Sequence, residues 1–271
     1  MQVQRFGFAR GPQWLVEGFR LYRLNPFSLA ANLMLMWLAL MFSGLLLMPF
    51  ASLILPAAVA PWIGQLPLAL LLPALSVGML NACEDLRQGR PLSPVRVFSG
   101  LQRNAPRLFV LGAIYYVGTL VALAITSAMD DGMLLETMRD SSKLAAEDID
   151  SAGLLRSMLT LVVLSLPAMA ANWFAPALTG WRGIPPVKAA FFSLVACWRN
   201  LFAFIGYALT VLALFWLLPS LFGGIIARGS PQLGASVILL LPMLMLPALY
   251  ASFYATTRDV LPELFDGEKT A

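Results

Sequence analysis

Residues 24–83 read LNPFSLAANLMLMWLALMFSGLLLMPFASLILPAAVAPWIGQLPLALLLPALSVGMLNAC, 60 consecutive positions without Asp, Glu, Lys or Arg. A helix crossing the hydrocarbon core of a bilayer needs about 20 apolar residues, so this stretch holds two crossings and the turn between them. Four further charge-free stretches, 108–129, 157–181, 200–227 and 229–257, hold one crossing each. The spans expected are 27–54, 63–83, 108–129, 157–179, 201–222 and 235–257. Over all 271 residues the chain is 59% hydrophobic and 12% charged, about half the charge of an ordinary soluble domain. The fold class this dictates is an all-α membrane protein, one integral membrane domain with six transmembrane helices. The preceding apolar run is longer than a signal-peptide core, and the small residues AVAP at 58–61 lie too deep for a cleavage site. The first span is therefore expected to stay on the chain.

Basic residues resist translocation and gather on cytoplasmic loops. Six spans place the N-terminus, the 84–107 loop, the 180–200 loop and the C-terminal tail 258–271 on one side, which then carries 14 Lys and Arg against 4 on the other. Both termini are expected in the cytoplasm. The largest outer segment, 130–150, holds seven acids and two bases, as suits a segment that crosses.

Three segments begin with proline and end on Arg and Asn: PQWLVEGFRLYRLN at 12–25, PVRVFSGLQRN at 94–104 and PVKAAFFSLVACWRN at 186–200. Proline fits the first turn of a helix, where its missing N–H has no partner to lose. Leu15, Phe19 and Tyr22 fall on one face of the first segment, and Val187, Phe191, Leu194 and Trp198 on one face of the third. Such helices are expected to lie in the interface, apolar face toward acyl chains and basic side chains toward anionic headgroups. Arg20, Arg23, Arg96, Arg103, Arg107, Lys188 and Arg199 are the headgroup candidates. Each even-numbered span carries a Leu-Pro-Ala triplet, at Pro73, Pro167 and Pro247. These prolines lie 48, 63 and 47 residues beyond the border residues Asn25, Asn104 and Asn200. The second spacing is longer by about the acidic outer segment. The pattern reads as three tandem units, 12–83, 94–179 and 186–257, each an interfacial amphipathic helix followed by a helical hairpin.

A proline inside a span frees the carbonyl four residues earlier, here those of Ala69, Val163 and Met243. Two readings stand: the kinks assist packing, or three kinked helices open a central cavity. Asn172 is a candidate for its lining. The other deep polar residues, Asn32, Ser76, Thr119, Ser165 and Thr210, are expected to hydrogen-bond between helices.

Histidine is absent, which excludes Ser-His and Cys-His catalysis, imidazole metal sites and histidine pH switches. No phosphate-binding or dinucleotide fingerprint occurs, and no carboxylate or base lies deep in a span, as ion-coupled carriers usually require. Glu84 and Asp85 beside Arg87 and Arg90 read as a solvated salt-bridged loop. Cys83 and Cys197 read as packed free thiols. No catalytic residue, metal, cofactor or nucleic-acid partner is expected. The basic balance follows from topology and attraction to anionic lipid.

The stretch WLVEGFRLYRLNPFSL at 14–29, the repeated proline-valine-basic segments and the closing YASFYATTRDV at 250–260 resemble uncharacterised six-span inner-membrane proteins of bacteria. More distantly they are similar to the membrane domain attached to some glycerophosphodiester phosphodiesterases. The resemblance implies a bacterial inner-membrane location. The catalytic domain of those enzymes has no counterpart in this chain, so no enzymatic residue carries over. The function expected is non-enzymatic binding or movement of lipid or another hydrophobic solute. The alternative is an accessory or assembly subunit bound to another membrane protein.

Overall fold

The computed structural model describes residues 3–56, 60–139 and 150–265. Most of the acidic segment (140–149) and the last six residues of the tail (266–271) lie outside the described residues. The elements are α1 (Arg10–Tyr22), α2 (Pro26–Ile54), α3 (Ala60–Arg87), a 3-10 turn (Arg96–Leu101), α4 (Ala105–Met129), α5 (Met133–Arg139), α6 (Ser151–Trp173) and α7 (Ala175–Arg182). They continue with α8 (Pro186–Arg199), α9 (Leu201–Leu212), a π-helical turn (Ala213–Leu217), α10 (Leu218–Ala227), α11 (Pro231–Val260) and a second 3-10 turn (Pro262–Leu264). Among the described residues, six stretches of helix are long and apolar enough to cross a membrane, with α6 and α7 forming one and α9 through α10 another. Their outward faces are apolar: Phe42, Leu45, Leu46, Trp216 and Phe222 are all more than half exposed, which suits hydrocarbon and not water.

The observed helices outrun the expected spans at almost every end, because a charge-free stretch marks where the bilayer is and not where the backbone stops coiling. Helix starts are set by local chemistry. The Asn25 side chain accepts from the Ser28 N–H at 3.1 Å, with Pro26 in the first turn, and Asp150 caps Gly153 at 2.9 Å in the same way. Gly183, at φ 64°, closes α7, with its N–H returned to the carbonyls of Leu178 and Thr179, a left-handed cap that favours glycine. Proline explains two interruptions. Pro176 cannot donate to the Asn172 carbonyl, and α6 breaks at Phe174. Ser193 of α8 steps into the break, accepting from the Phe174 N–H at 2.9 Å and donating to the Ala170 carbonyl at 2.6 Å. The π-helical turn lies immediately before Pro219.

Helix α2 packs along α3, α4 along α6, and α10 along α11. The proline-led segments do not sit on the helices that follow them. Helix α1 packs on α9 and α11, the 3-10 turn 96–101 on α3 and α2, and α8 on α6, α7 and α4. Each therefore rests on the preceding pair of spans, and α1 closes the circle by resting on the last pair.

Two expectations about these segments are corrected. The 94–104 segment is no extended amphipathic helix. Only residues 96–101 coil, as a 3-10 turn, since Ser99 and Gly100 favour helix weakly and the Asn32 side chain takes the local backbone groups. Asn32 accepts from the Val97 N–H at 2.7 Å and donates to the Ser93 carbonyl at 2.9 Å. Helix α1 does not turn its apolar face to lipid: Trp14 and Leu15 are fully buried in protein. Only α8 keeps an exposed apolar stripe, with Val187, Phe191 and Trp198 all more than 60% exposed.

Residues 258–265, expected as tail, continue α11 and then turn back into the core, where Val260, Leu261 and Leu264 are buried. The Gln4 N–H reaches the Val260 carbonyl at 3.2 Å, so the described ends of the chain share one end of the bundle.

Candidate functional site

Two cavities open in the bundle, one at the end that carries residues 4 and 260 and one farther along its axis. The deeper one, of about 190 Å³, lies among α3, α4, α6, α7 and α11 and is lined by Ser76, Met79, Tyr115, Asn172, Trp173 and Tyr250 among others. Its walls are held firmly. Trp173 stacks edge-on against Phe253 at 4.7 Å and donates its indole N–H to Thr256 Oγ1 at 3.1 Å. The Asn172 Oδ1 is buried and has no hydrogen-bond partner among the described residues. An unpaired buried acceptor costs about 1–3 kcal/mol, and this one belongs to a residue lining a mainly apolar chamber that also carries the hydroxyls of Ser76, Tyr115, Tyr250 and Thr257.

The second cavity, of about 290 Å³, lies nearer the surface. Asn81, Glu84, Arg90, Arg96, Arg103 and Arg182 contribute to it, with Trp181, Leu264 and Phe265 as its apolar wall. Glu84 and Asp85 are not in a solvated loop: they occupy the last turns of α3 and are almost fully buried. Glu84 accepts from Arg87, Gln88 and the Tyr254 hydroxyl. Asp85 holds Arg90 at 2.7 Å through one oxygen and Arg96 at 2.6 Å through the other. Asn81 accepts the Trp181 indole N–H at 2.8 Å and donates to Ser99 Oγ at 2.9 Å.

The headgroup candidates are scattered. Arg20, Arg23, Arg103, Arg107, Lys188 and Arg199 are exposed, whereas Arg96 is half-buried and pairs with Asp85 through its Nε alone. Arg107 also donates to the Gly183 carbonyl, and Lys188 lies 5.6 Å from the Phe192 ring. The structure brings only Arg96 and Arg103 together, in the outer cavity, and joins to them Arg90 and Arg182, which the sequence did not single out. The prolines differ among themselves. Pro73 and Pro247 are buried and Pro167 is exposed, and none of the three lines a cavity, although neighbours of each do. The Ala69 carbonyl freed by Pro73 faces Gly112 of α4 at a close helix crossing, a contact of the Cα–H···O type. Among the deep polar residues, Asn32 bonds between elements, whereas Thr119 and Thr210 bond back to their own helices.

Two of the three border asparagines bond to distant segments of the chain. Asn200 accepts from the Phe6 N–H at 2.9 Å and donates to the Gln4 carbonyl at 2.9 Å, and Asn104 donates to the Gly180 carbonyl at 3.1 Å. Each thereby fixes the approach to a proline-led segment other than its own. A signal that could have revealed the docking is Pro12-x5-Gly18 and Pro94-x5-Gly100: both glycines meet backbone of an even-numbered span, at Ala248 and Ala74.

Cys83 and Cys197 are buried free thiols. Burial pushes the Cys197 thiol up to about 12, against the smaller opposing effect of a hydrogen bond with Ser193. Since the thiolate is the reactive form, neither cysteine should label with a maleimide at pH 7 until the protein is denatured. Rapid labelling of the folded protein at either position would contradict this packing.

No protein-family model matches the chain, and no solved structure matches it. A protein of Burkholderia thailandensis described as a probable inner membrane protein is 36% identical over 274 residues, an alignment covering 95% of this chain and 93% of that one. With likeness at that level over nearly the whole of both sequences, this six-span chain belongs to the family of that inner membrane protein.

Proposed function

We propose that this integral inner-membrane protein is non-enzymatic and binds an acyl chain or similar apolar solute in the mid-bundle cavity. The ligand's polar group would donate a hydrogen bond to Asn172. The unpaired Asn172 Oδ1 beside an aromatic and aliphatic chamber carries the reading, because small-molecule sites are mostly apolar with a few converging polar groups. No cofactor or metal enters it.

The reading includes the tandem architecture: three hairpin units, each led by a proline-headed segment, with both termini in the cytoplasm. The circular docking of those segments supports it, as does the gathering of arginines at the end of the bundle shared by residues 4 and 260. Anionic headgroups on that face would meet the exposed Arg20, Arg23, Arg107, Lys188 and Arg199.

Filling the chamber tests the proposal. Ser76→Leu combined with Asn172→Leu should lower co-purifying lipid or apolar solute, measured by native mass spectrometry after mild extraction, roughly tenfold, the equivalent of about 1.4 kcal/mol. The size-exclusion profile should stay that of the parent. Undiminished retention by a well-folded double variant would overturn the assignment. A stoichiometric protein partner held in place of lipid would instead favour an accessory-subunit role.

A further inference from the structure

We infer that the outer cavity is a binding site for a phosphate-bearing anion, gripped by Arg90, Arg96, Arg103 and Arg182. It deepens the lipid-binding reading but stands on other residues, so it can fail without the mid-bundle cavity failing.

The first argument is charge. Four arginines line the cavity against one carboxylate, Glu84, and that carboxylate already accepts from Arg87, Gln88 and Tyr254. Asp85 lies behind Arg90 and Arg96 and engages each through a single oxygen. A guanidinium carries five N–H donors in a planar fork, so both keep donors for a second anion while Asp85 fixes their position. Arg182 is tied by one donated bond to the Glu263 carbonyl. Arg103 is exposed and has no side-chain partner among the described residues.

The second argument is rigidity. A merely basic surface, which positive loops produce anyway, has mobile side chains and no shape. Here the floor is set by the Trp181–Asn81–Ser99 hydrogen-bond chain. The wall is set by Trp181 and Phe265, packed edge-on at 5.2 Å. Arginine forks match phosphate oxygens in pairs, and about 290 Å³ accommodates a phosphate with a small substituent. The apolar wall of Trp181, Leu264 and Phe265 suits a substituent with carbon on it, such as a glycerol backbone. The cavity borders the same α3 that lines the deeper chamber. The anion's source is thus either the headgroup of an anionic phospholipid or a free phosphate ester.

The test uses the full chain. Glycerol 3-phosphate and inorganic phosphate are titrated by calorimetry into purified protein in non-ionic detergent. In parallel, native mass spectrometry reads lipid retained from vesicles of phosphatidylcholine mixed with phosphatidic acid. Saturable, salt-sensitive binding of the free probes identifies a soluble phosphate ester. Selective retention of phosphatidic acid without binding of free probes identifies a headgroup. Either is expected to weaken roughly tenfold or more in Arg103→Gln with Arg182→Gln, since each contact to a charged group is of that order. Arg103→Lys should fall between. Arg103→Gln alone keeps the test open should the pair disturb folding, because that side chain has no partner among the described residues. Arg156→Gln with Arg228→Gln, both exposed and at the opposite end of the bundle, should change nothing. Absence of both binding modes overturns the inference, and so does equal weakening in the Arg156 and Arg228 control.

Discussion

Valine at position 78 is expected to cost the protein its native packing in mild detergent, with a melting temperature lowered by roughly 10 °C. Gly78 of α3 and Gly100 of the 96–101 turn face each other backbone to backbone. A Cβ on Gly78 would fall far inside contact distance of the Val97 carbonyl, and one on Gly100 would collide with the Ala74 carbonyl. The neighbouring atoms are main chain and cannot swing aside, so the cost should reach about 3 kcal/mol, the upper part of the overpacking range. The same crossing sets the outer cavity, because Arg96 and Ser99 are carried on that turn. Anion binding should therefore fall along with stability. Gly224→Val makes the control: it is also a glycine in a span, but nothing lies within 4 Å of its added Cβ. A Gly78→Val protein that melts with the Gly224→Val control would show that the turn is not seated as described.

Much of this architecture was legible from charge alone. The absence of Asp, Glu, Lys and Arg over 24–83 and the four later gaps fixed the number of spans, because hydrocarbon penalises charge whatever the partners. Helix ends were less legible, since α3 runs on through Glu84, Asp85 and Arg87 once those charges find partners in the fold. The proline-led segments were visible as a pattern, yet their seating was not. Periodicity reports that Leu15, Phe19 and Tyr22 share a face, and cannot say whether lipid or α11 covers it. Asn172 was singled out for its depth, and the structure adds what depth cannot show, a buried acceptor without a partner among the described residues on a side chain that borders a cavity. Arg96 and Arg103 were marked as basic residues near a headgroup plane. Arg182, some 80 positions on, joins them only because Asn104 and Arg107 tie the 180–183 backbone to the start of α4. A single sequence carries no trace of such a pairing.

Removing the carboxylate of Asp259 should free α1 from the bundle more readily than any other single charge change. Its side chain is 9% exposed and accepts from Arg10 Nε at 2.6 Å and from the Trp14 indole at 2.8 Å. Arg258 leans on the same group at 3.2 Å, while Glu17 takes both arginines from the other side. Asp259→Ala strands a fully buried indole N–H and leaves two arginines sharing one carboxylate. Breaking a fully buried pair costs about 3–5 kcal/mol. These arginines are 26% and 35% exposed and recover some hydration, so about 2 kcal/mol is the expected loss, roughly 5 °C. Because α1 touches the bundle mainly through α9 and α11, the loss should appear first as trypsin cleavage at Arg20 and Arg23 under conditions where the parent is intact. Arg10→Ala combined with Asp259→Ala should be little worse than Asp259→Ala alone, a coupling of about 1 kcal/mol or more. Strict additivity of the two changes would mean that the pair does not act as a unit, and that the buried face of Trp14 and Leu15 alone holds the first helix against the last.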